Sequence, residues 1–129
     1  LSPFFYGEKT EKFYMLCLDA KSTVIKLVKL SSGIPQEVRV DVRDVVDNAL
    51  KYKAVSVVVA HNHPSGDVSP SVQDVELTRA IAAALQLIKI KLADHYIFSD
   101  FGYCSFVEDG VGGQIQQNVN NFLKDGIKY

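Results

Sequence analysis

Ala54-Val-Ser-Val-Val-Val-Ala60 is the stretch on which the fold turns. It is apolar on both faces, as expected of a strand buried inside a sheet that helices cover. Before it, from Asp41, the apolar period becomes helical. Val42, Val45, Val46, Ala49 and Leu50 form one stripe, with Asp41 placed as its N-cap. After it the chain runs directly into His61-Asn-His-Pro-Ser-Gly-Asp-Val-Ser-Pro70, a loop dense in turn residues. Ser71 then opens a second helix whose apolar positions are Val72, Val75, Ile81, Ala82, Leu85 and Ile88. A helix on each side of the most buried strand predicts an α/β fold.

Further out, Phe13–Leu18 and Val24–Leu30 read as two strands of a hairpin across Asp19-Ala-Lys-Ser22. Ser31–Pro35 reads as a loop and Glu37–Val40 as an edge strand. Lys89–Leu92 and Tyr96–Phe98 read as two more strands, with Gly102 in a turn before Tyr103–Phe106. The glycine-rich, then polar segment after Glu108 predicts a peripheral helix or a frayed tail. No repeat or internal boundary is visible. The expected organisation is a single domain over 1–129, with a core of about 11–106 and 107–129 as a C-terminal extension.

The chain has 129 residues, 47% of them hydrophobic and 22% charged, which excludes disordered and fibrous classes. Fourteen basic residues balance fifteen acidic ones, so the electrostatic footprint of a nonspecific nucleic-acid binder is missing. Cys17 and Cys104 are too few for a cysteine-rich zinc site and form no disulfide framework. Each lies in an apolar run, where a buried thiol is the expectation. With no membrane-length apolar stretch and no visible signal peptide, a soluble cytoplasmic protein is expected. The chain begins at Leu1 rather than Met, as an excised domain or a processed product would.

The chemistry gathers at the end of the central strand. His61 and His63 are two apart in an extended segment, so both imidazoles project to one side. Asp74 lies in the first turn of the following helix, and the intervening turn residues let the chain fold back beneath the rings. Two imidazoles and a carboxylate make three metal ligands, leaving a fourth position for water. Hydrolysis also needs a base outside the coordination shell and a donor for the oxyanion. Ser71, on the same helical turn as Asp74, is the candidate donor; Glu8, Glu11 and Glu37 are candidate bases. A structural reading stands beside each. Ser71-Val-Gln-Asp74 is a capping-box pattern, and a His-x-His at a strand end can be two satisfied polar residues. His95, beside Asp94, reads as a histidine behind the ligands or within the core.

His61-x-His63-Pro64, six residues and then Ser71-x-x-Asp74 resembles the JAMM (JAB1/MPN) metalloprotease motif at every specified position. More narrowly, Ala60-His-Asn-His-Pro-Ser-Gly-Asp67, the valine-rich strand before it and Asp94-His95-Tyr-Ile resemble the RadC family, bacterial proteins traditionally labelled DNA repair proteins. The similarity runs from about Glu11 to Phe106. It implies a three-layer α/β/α, cytidine-deaminase-like JAB1/MPN fold with a mixed central sheet. It also implies Zn²⁺ held by His61, His63 and Asp74, an oxyanion or water-binding role for Ser71, and Glu11 of Glu11-Lys-Phe13 as the general base, with Glu8 the fallback. The activity implied is hydrolysis of a peptide or isopeptide amide in a protein or peptide substrate. Proteins of the RadC type carry an N-terminal helix-hairpin-helix-like region that this chain lacks, and DNA contact in a full-length protein would depend on it.

Two other functions share some of these residues. One keeps the fold without catalysis, as a DNA-repair accessory domain whose metal is structural or absent. The other is the two-His-one-carboxylate triad of non-haem iron oxygenases, whose usual all-β scaffold the α/β pattern does not match. A zinc nucleobase deaminase needs His-x-Glu and a close cysteine pair, and this sequence has neither.

Overall fold

The computed structural model describes residues 11–31 and 40–126. The expected hairpin is β1 (Phe13–Leu18) and β2 (Val24–Ser31). Asp19 closes its turn by accepting from the N–H groups of Lys21 and Thr23, both at 2.9 Å, while Ser22 takes the left-handed conformation at φ 61°. Helix α1 (Val42–Lys51) starts at the expected N-cap, where Asp41 accepts from the Arg43 N–H. Then follow β3 (Ser56–Asn62), α2 (Val72–Leu87), β4 (Lys91–Ser99), β5 (Gly102–Ser105) and α3 (Val111–Gly126).

The strands form one mixed sheet in the order β2-β1-β3-β4-β5. Only β3 and β4 pair in parallel, joined by the crossover that α2 provides; the other three pairs are antiparallel. The strand read as most buried is therefore the centre of the sheet. Its register aligns Met15 with Val59, and Phe13 with His61 and thence Ile97, so these side chains share a face.

Two apolar clusters lie on that face. Phe13, Met15, Cys17, Val57 and Val59 pack against Val45 and Ala49 of α1 and Ile81 and Leu85 of α2. Ile97, Cys104 and Phe106 pack against Ala82 of α2 and Ile115 and Val119 of α3. Each such aliphatic side chain contributes about 1.5–3 kcal/mol when removed from water. All three described helices thus cover the same face of the sheet. The expected α/β fold with a mixed central sheet is what forms; no described helix supplies a layer on the opposite face. There Tyr14, Leu16, Val58, Tyr96 and Phe98 are half-buried.

Two expectations change in detail, and one that left two outcomes open is decided. The two short strands expected at Lys89–Leu92 and Tyr96–Phe98 are one nine-residue strand, because a register shift opposite Val57/Val58 absorbs the extra residue without breaking the pairing. Gly102 opens β5 rather than sitting in the turn before it. The segment after Glu108 forms a 16-residue helix whose Ile115 and Val119 are buried. Gly112 serves close packing: a Cβ there would lie 3.3 Å from the Phe106 carbonyl. The edge strand expected at Glu37–Val40 falls, apart from Val40, outside the described residues.

Both cysteines are free and buried. Burial and a hydrogen bond to Asp109 push the Cys104 thiol up to about 12, and burial raises Cys17, so neither is a nucleophile at neutral pH. Among the described residues no helix is long and apolar enough to cross a membrane.

Candidate metal centre

The carboxyl end of β3 delivers two histidines to one place. His61 is within the strand, and the His63 N–H donates to the Phe98 carbonyl at 2.8 Å, carrying the β4 pairing past the strand end. Both rings therefore keep to one side and Asn62 to the other. The chain then reverses. Gly66 takes φ 92° and donates to the His63 carbonyl at 3.0 Å, a conformation that disfavours any residue with a Cβ. Ser71 caps α2: its Oγ accepts from the Asp74 N–H at 3.0 Å, and Asp74 Oδ2 accepts from the Ser71 N–H at 2.8 Å. The capping box and the candidate ligand are the same aspartate. The cap fixes the carboxylate where it meets the histidines.

Three ligand atoms converge. His61 Nε2 lies 3.1 Å from Asp74 Oδ1, His63 Nε2 lies 3.0 Å from Asp74 Oδ2, and the two Nε2 atoms are 3.1 Å apart. A tetrahedral ion bound at about 2.0–2.1 Å sets its ligands roughly 3.3 Å from one another. The set therefore has the spacing of a coordination shell, and among the described residues it is the one group of three or more such side chains able to hold a metal ion. It is also sheltered, with His61 3% exposed, His63 13% and Asp74 15%.

The electrostatics suit a cation. Burial opposes ionisation of Asp74, but hydrogen bonds from His61 and His63 and the N–H of Ser71 outweigh it and hold the carboxyl well below the usual carboxylate range. His63 is raised above its ordinary 6.5, chiefly by the Asp74 carboxylate, with help from the Asp67 carbonyl and from Glu11. A proton on His63 thus takes part of the charge-balancing role a metal would fill. The His63 Nδ1 atom faces the Asp67 carbonyl at 2.7 Å; a carbonyl only accepts, so Nδ1 carries a hydrogen, and Nε2 is the nitrogen that loses its proton to a metal.

Glu11 approaches from the start of β1. Phe13 lies opposite His61 and stacks on its ring at 5.5 Å, and Glu11 comes two residues before it. The Glu11 charge reaches His63 and helps to raise its pKa. The Lys12 N–H donates to Asn62 Oδ1 at 2.6 Å, tying the entry of β1 to the strand that carries the histidines. Glu8 and Glu37 lie outside the described residues.

Behind the ligands is a buried polar chain. His61 Nδ1 lies 2.7 Å from His95 Nε2, His95 Nδ1 lies 2.6 Å from Thr78 Oγ1, and Thr78 Oγ1 donates to the Asp74 carbonyl at 2.6 Å. His95 stacks on Phe106 at 4.5 Å and meets the edge of Phe13. Its pKa is pushed well below the ordinary histidine value by burial and by neighbouring His61. Asp94, the other half of the Asp-His pair, accepts from the His95 N–H, the Ser105 hydroxyl and the Val107 N–H, and so ties β4 to β5. Sequence reading placed His95 behind the ligands but passed over Thr78 and Asn62. The spacing of Thr78, four after Asp74 and so on the same helical face, was the available signal.

A mixed sheet that presents His-x-His at the end of its central strand, with an aspartate from the next helix closing the triangle, defines a JAB-type α/β domain. The chain belongs to the family of RadC-like JAB domains, whose model matches residues 1–111. Among its relatives, a UPF0758 protein of Acinetobacter baumannii is 43% identical over 102 residues, covering 79% of this chain and 43% of the relative. One from Porphyromonas gingivalis is 38% identical over 112 residues, covering 86% and 49%. One from Geotalea uraniireducens is 36% identical over 107 residues, covering 83% and 47%. The chain spans somewhat under half the length of these relatives.

Proposed function

We propose that this chain is a zinc-dependent hydrolase domain that cleaves a peptide or isopeptide amide bond. The observation carrying the reading is the convergence of His61 Nε2 and His63 Nε2, 3.1 Å apart, on the Asp74 carboxylate, each within 3.1 Å of one of its two oxygens. His61, His63 and Asp74 would hold the ion. A zinc ion in such a site lowers the pKa of a bound water to about 7 and polarises a carbonyl. Two imidazoles and one carboxylate on an α/β scaffold suit zinc, an ion with no redox chemistry of its own.

The protein's own groups complete the chemistry. Glu11, whose charge reaches His63, takes the proton of the attacking water and returns it to the leaving amine. Ser71 uses one lone pair to accept from the Asp74 N–H, so its hydroxyl proton remains to donate to the oxyanion. One side chain thereby caps the helix and stabilises charge on the substrate.

The test is zinc stoichiometry on the purified chain beside His63→Ala and Asp74→Ala, followed by cleavage of peptide and isopeptide libraries with Glu11→Gln as control. One zinc per chain, lost in both ligand variants and retained by an inactive Glu11→Gln, is the expected result. Failure of the wild type to take up supplied zinc would overturn the reading and leave a non-catalytic repair-associated domain. Iron in place of zinc would overturn the choice of metal.

A further inference from the structure

Thr78 and His95 take no part in the proposed hydrolysis, yet they are 3% and 1% exposed and lie against the ligand set. Buried polar groups must find partners, and here the partners fix the direction of every hydrogen. The Asp74 carbonyl can only accept, so the hydroxyl hydrogen of Thr78 is committed to it at 2.6 Å. The Thr78 oxygen then has only lone pairs to offer His95 Nδ1, also at 2.6 Å, so that nitrogen carries the hydrogen. Enclosed by the rings of Phe13 and Phe106, His95 takes the neutral form, because a charged ring there would lack compensation. Its Nε2 is therefore bare and accepts from His61 Nδ1 at 2.7 Å. With Nδ1 committed to His95, Nε2 is the His61 nitrogen that faces Asp74 and His63 and the one left to give up its hydrogen to a metal.

We propose that Thr78 and His95 are positioning residues that hold His61 in its Nδ1–H tautomer and present its Nε2 lone pair to the metal. The chain of hydrogen bonds starts on the backbone of one ligand, Asp74, and ends on the ring of another, His61. It crosses from α2 through β4 to β3, so the same bonds that set the tautomer lock the helix to the two parallel strands. His63 reaches the same tautomer by a different and simpler route, the Asp67 carbonyl of its own loop. Groups behind a metal-bound histidine typically matter by about 10–100-fold in metal affinity. The proposal rests on the metal-site reading above.

The experiment compares wild type with His95→Phe, His95→Gln and Thr78→Val, by ¹⁵N NMR of the histidine tautomers in the metal-free protein and by zinc affinity in chelator competition. Phenylalanine keeps the stacking with Phe106 and removes the acceptor; glutamine keeps an acceptor oxygen. Nδ1 of His61 is expected to carry a hydrogen in the wild type and to lose it in His95→Phe, leaving Nε2–H facing Asp74. Zinc affinity should drop about 10–100-fold in that variant, recover in part in His95→Gln, and fall less in Thr78→Val. A folded His95→Phe with unchanged tautomer and affinity would overturn the proposal, since a purely packing role moves neither. If His95→Phe does not fold, Thr78→Val decides by the same two readings. A wild type that binds no zinc would defeat the hydrolase reading, while the tautomers of the metal-free protein would still test this one.

Discussion

The two halves of β3 obey different rules. Val57 and Val59 are fully buried and meet α1 and α2 through undirected apolar contact. Two residues further on, His61 is nearly as buried, but each of its ring nitrogens faces specific partners within 3.1 Å. Apolar burial tolerates any side chain of about the right volume. A buried polar set tolerates very little, because removing one member leaves another unpaired at a cost of about 1–3 kcal/mol. Stability is thus concentrated in the first half of the strand and specificity in the second.

The sharpest break in that comparison is Asp74→Ala. It removes a ligand and half of the capping box, so stoichiometric zinc binding should vanish, as read by metal analysis after gel filtration. Leu85→Ala, on the apolar side, should destabilise the chain by about 2–5 kcal/mol in urea unfolding and leave zinc affinity of the folded protein unchanged. Coupling between the two would show that the halves are not independent. Ser71→Ala should cost about 1 kcal/mol through the lost cap, whereas Ser71→Asn should keep the cap and lose the donated hydroxyl. If hydrolysis falls equally in both, the hydroxyl is acting on the substrate.

The smallest effect is in pH. In the metal-free protein His63 is held above 6.5, so its contribution is complete below the unfolded value and disappears as pH rises through the raised one. Asp74 is held low, so its contribution is present above the unfolded carboxylate value and is lost as pH falls. The metal-free chain should therefore have its highest Tm in mildly acidic solution. Zinc must displace the His63 proton, so the Tm gain on adding zinc should grow as pH rises. A gain that shrinks with rising pH would contradict the pairing of His63 with Asp74.

Much of this was legible in one dimension because it is local. Asp41 as a cap, the helical stripe of α1, and the Ser71–Asp74 pattern are all relations across a few residues. The His-x-His spacing is likewise a strand property that needs no tertiary partner. The C-terminal segment stayed open between a helix and a frayed tail for the opposite reason. Gly112 looks like fraying in isolation and becomes a site of close approach only against Phe106. The break expected between Leu92 and Tyr96 does not form because β4 accommodates one extra residue, Ala93, against β3, a matter of pairing register. Thr78 looked like an ordinary helix residue until β4 brought His95 over it.

By itself the sequence determined the α/β class, the central strand, and the identity and order of the three candidate ligands, because periodicity and fixed offsets are written into neighbouring residues. Only the tertiary structure decided that Phe13 lies against His61, that all three described helices share one face, and that His61 is backed by His95 and Thr78. Each of these joins residues far apart in the chain, and their meeting depends on strand order and register, which no local pattern encodes.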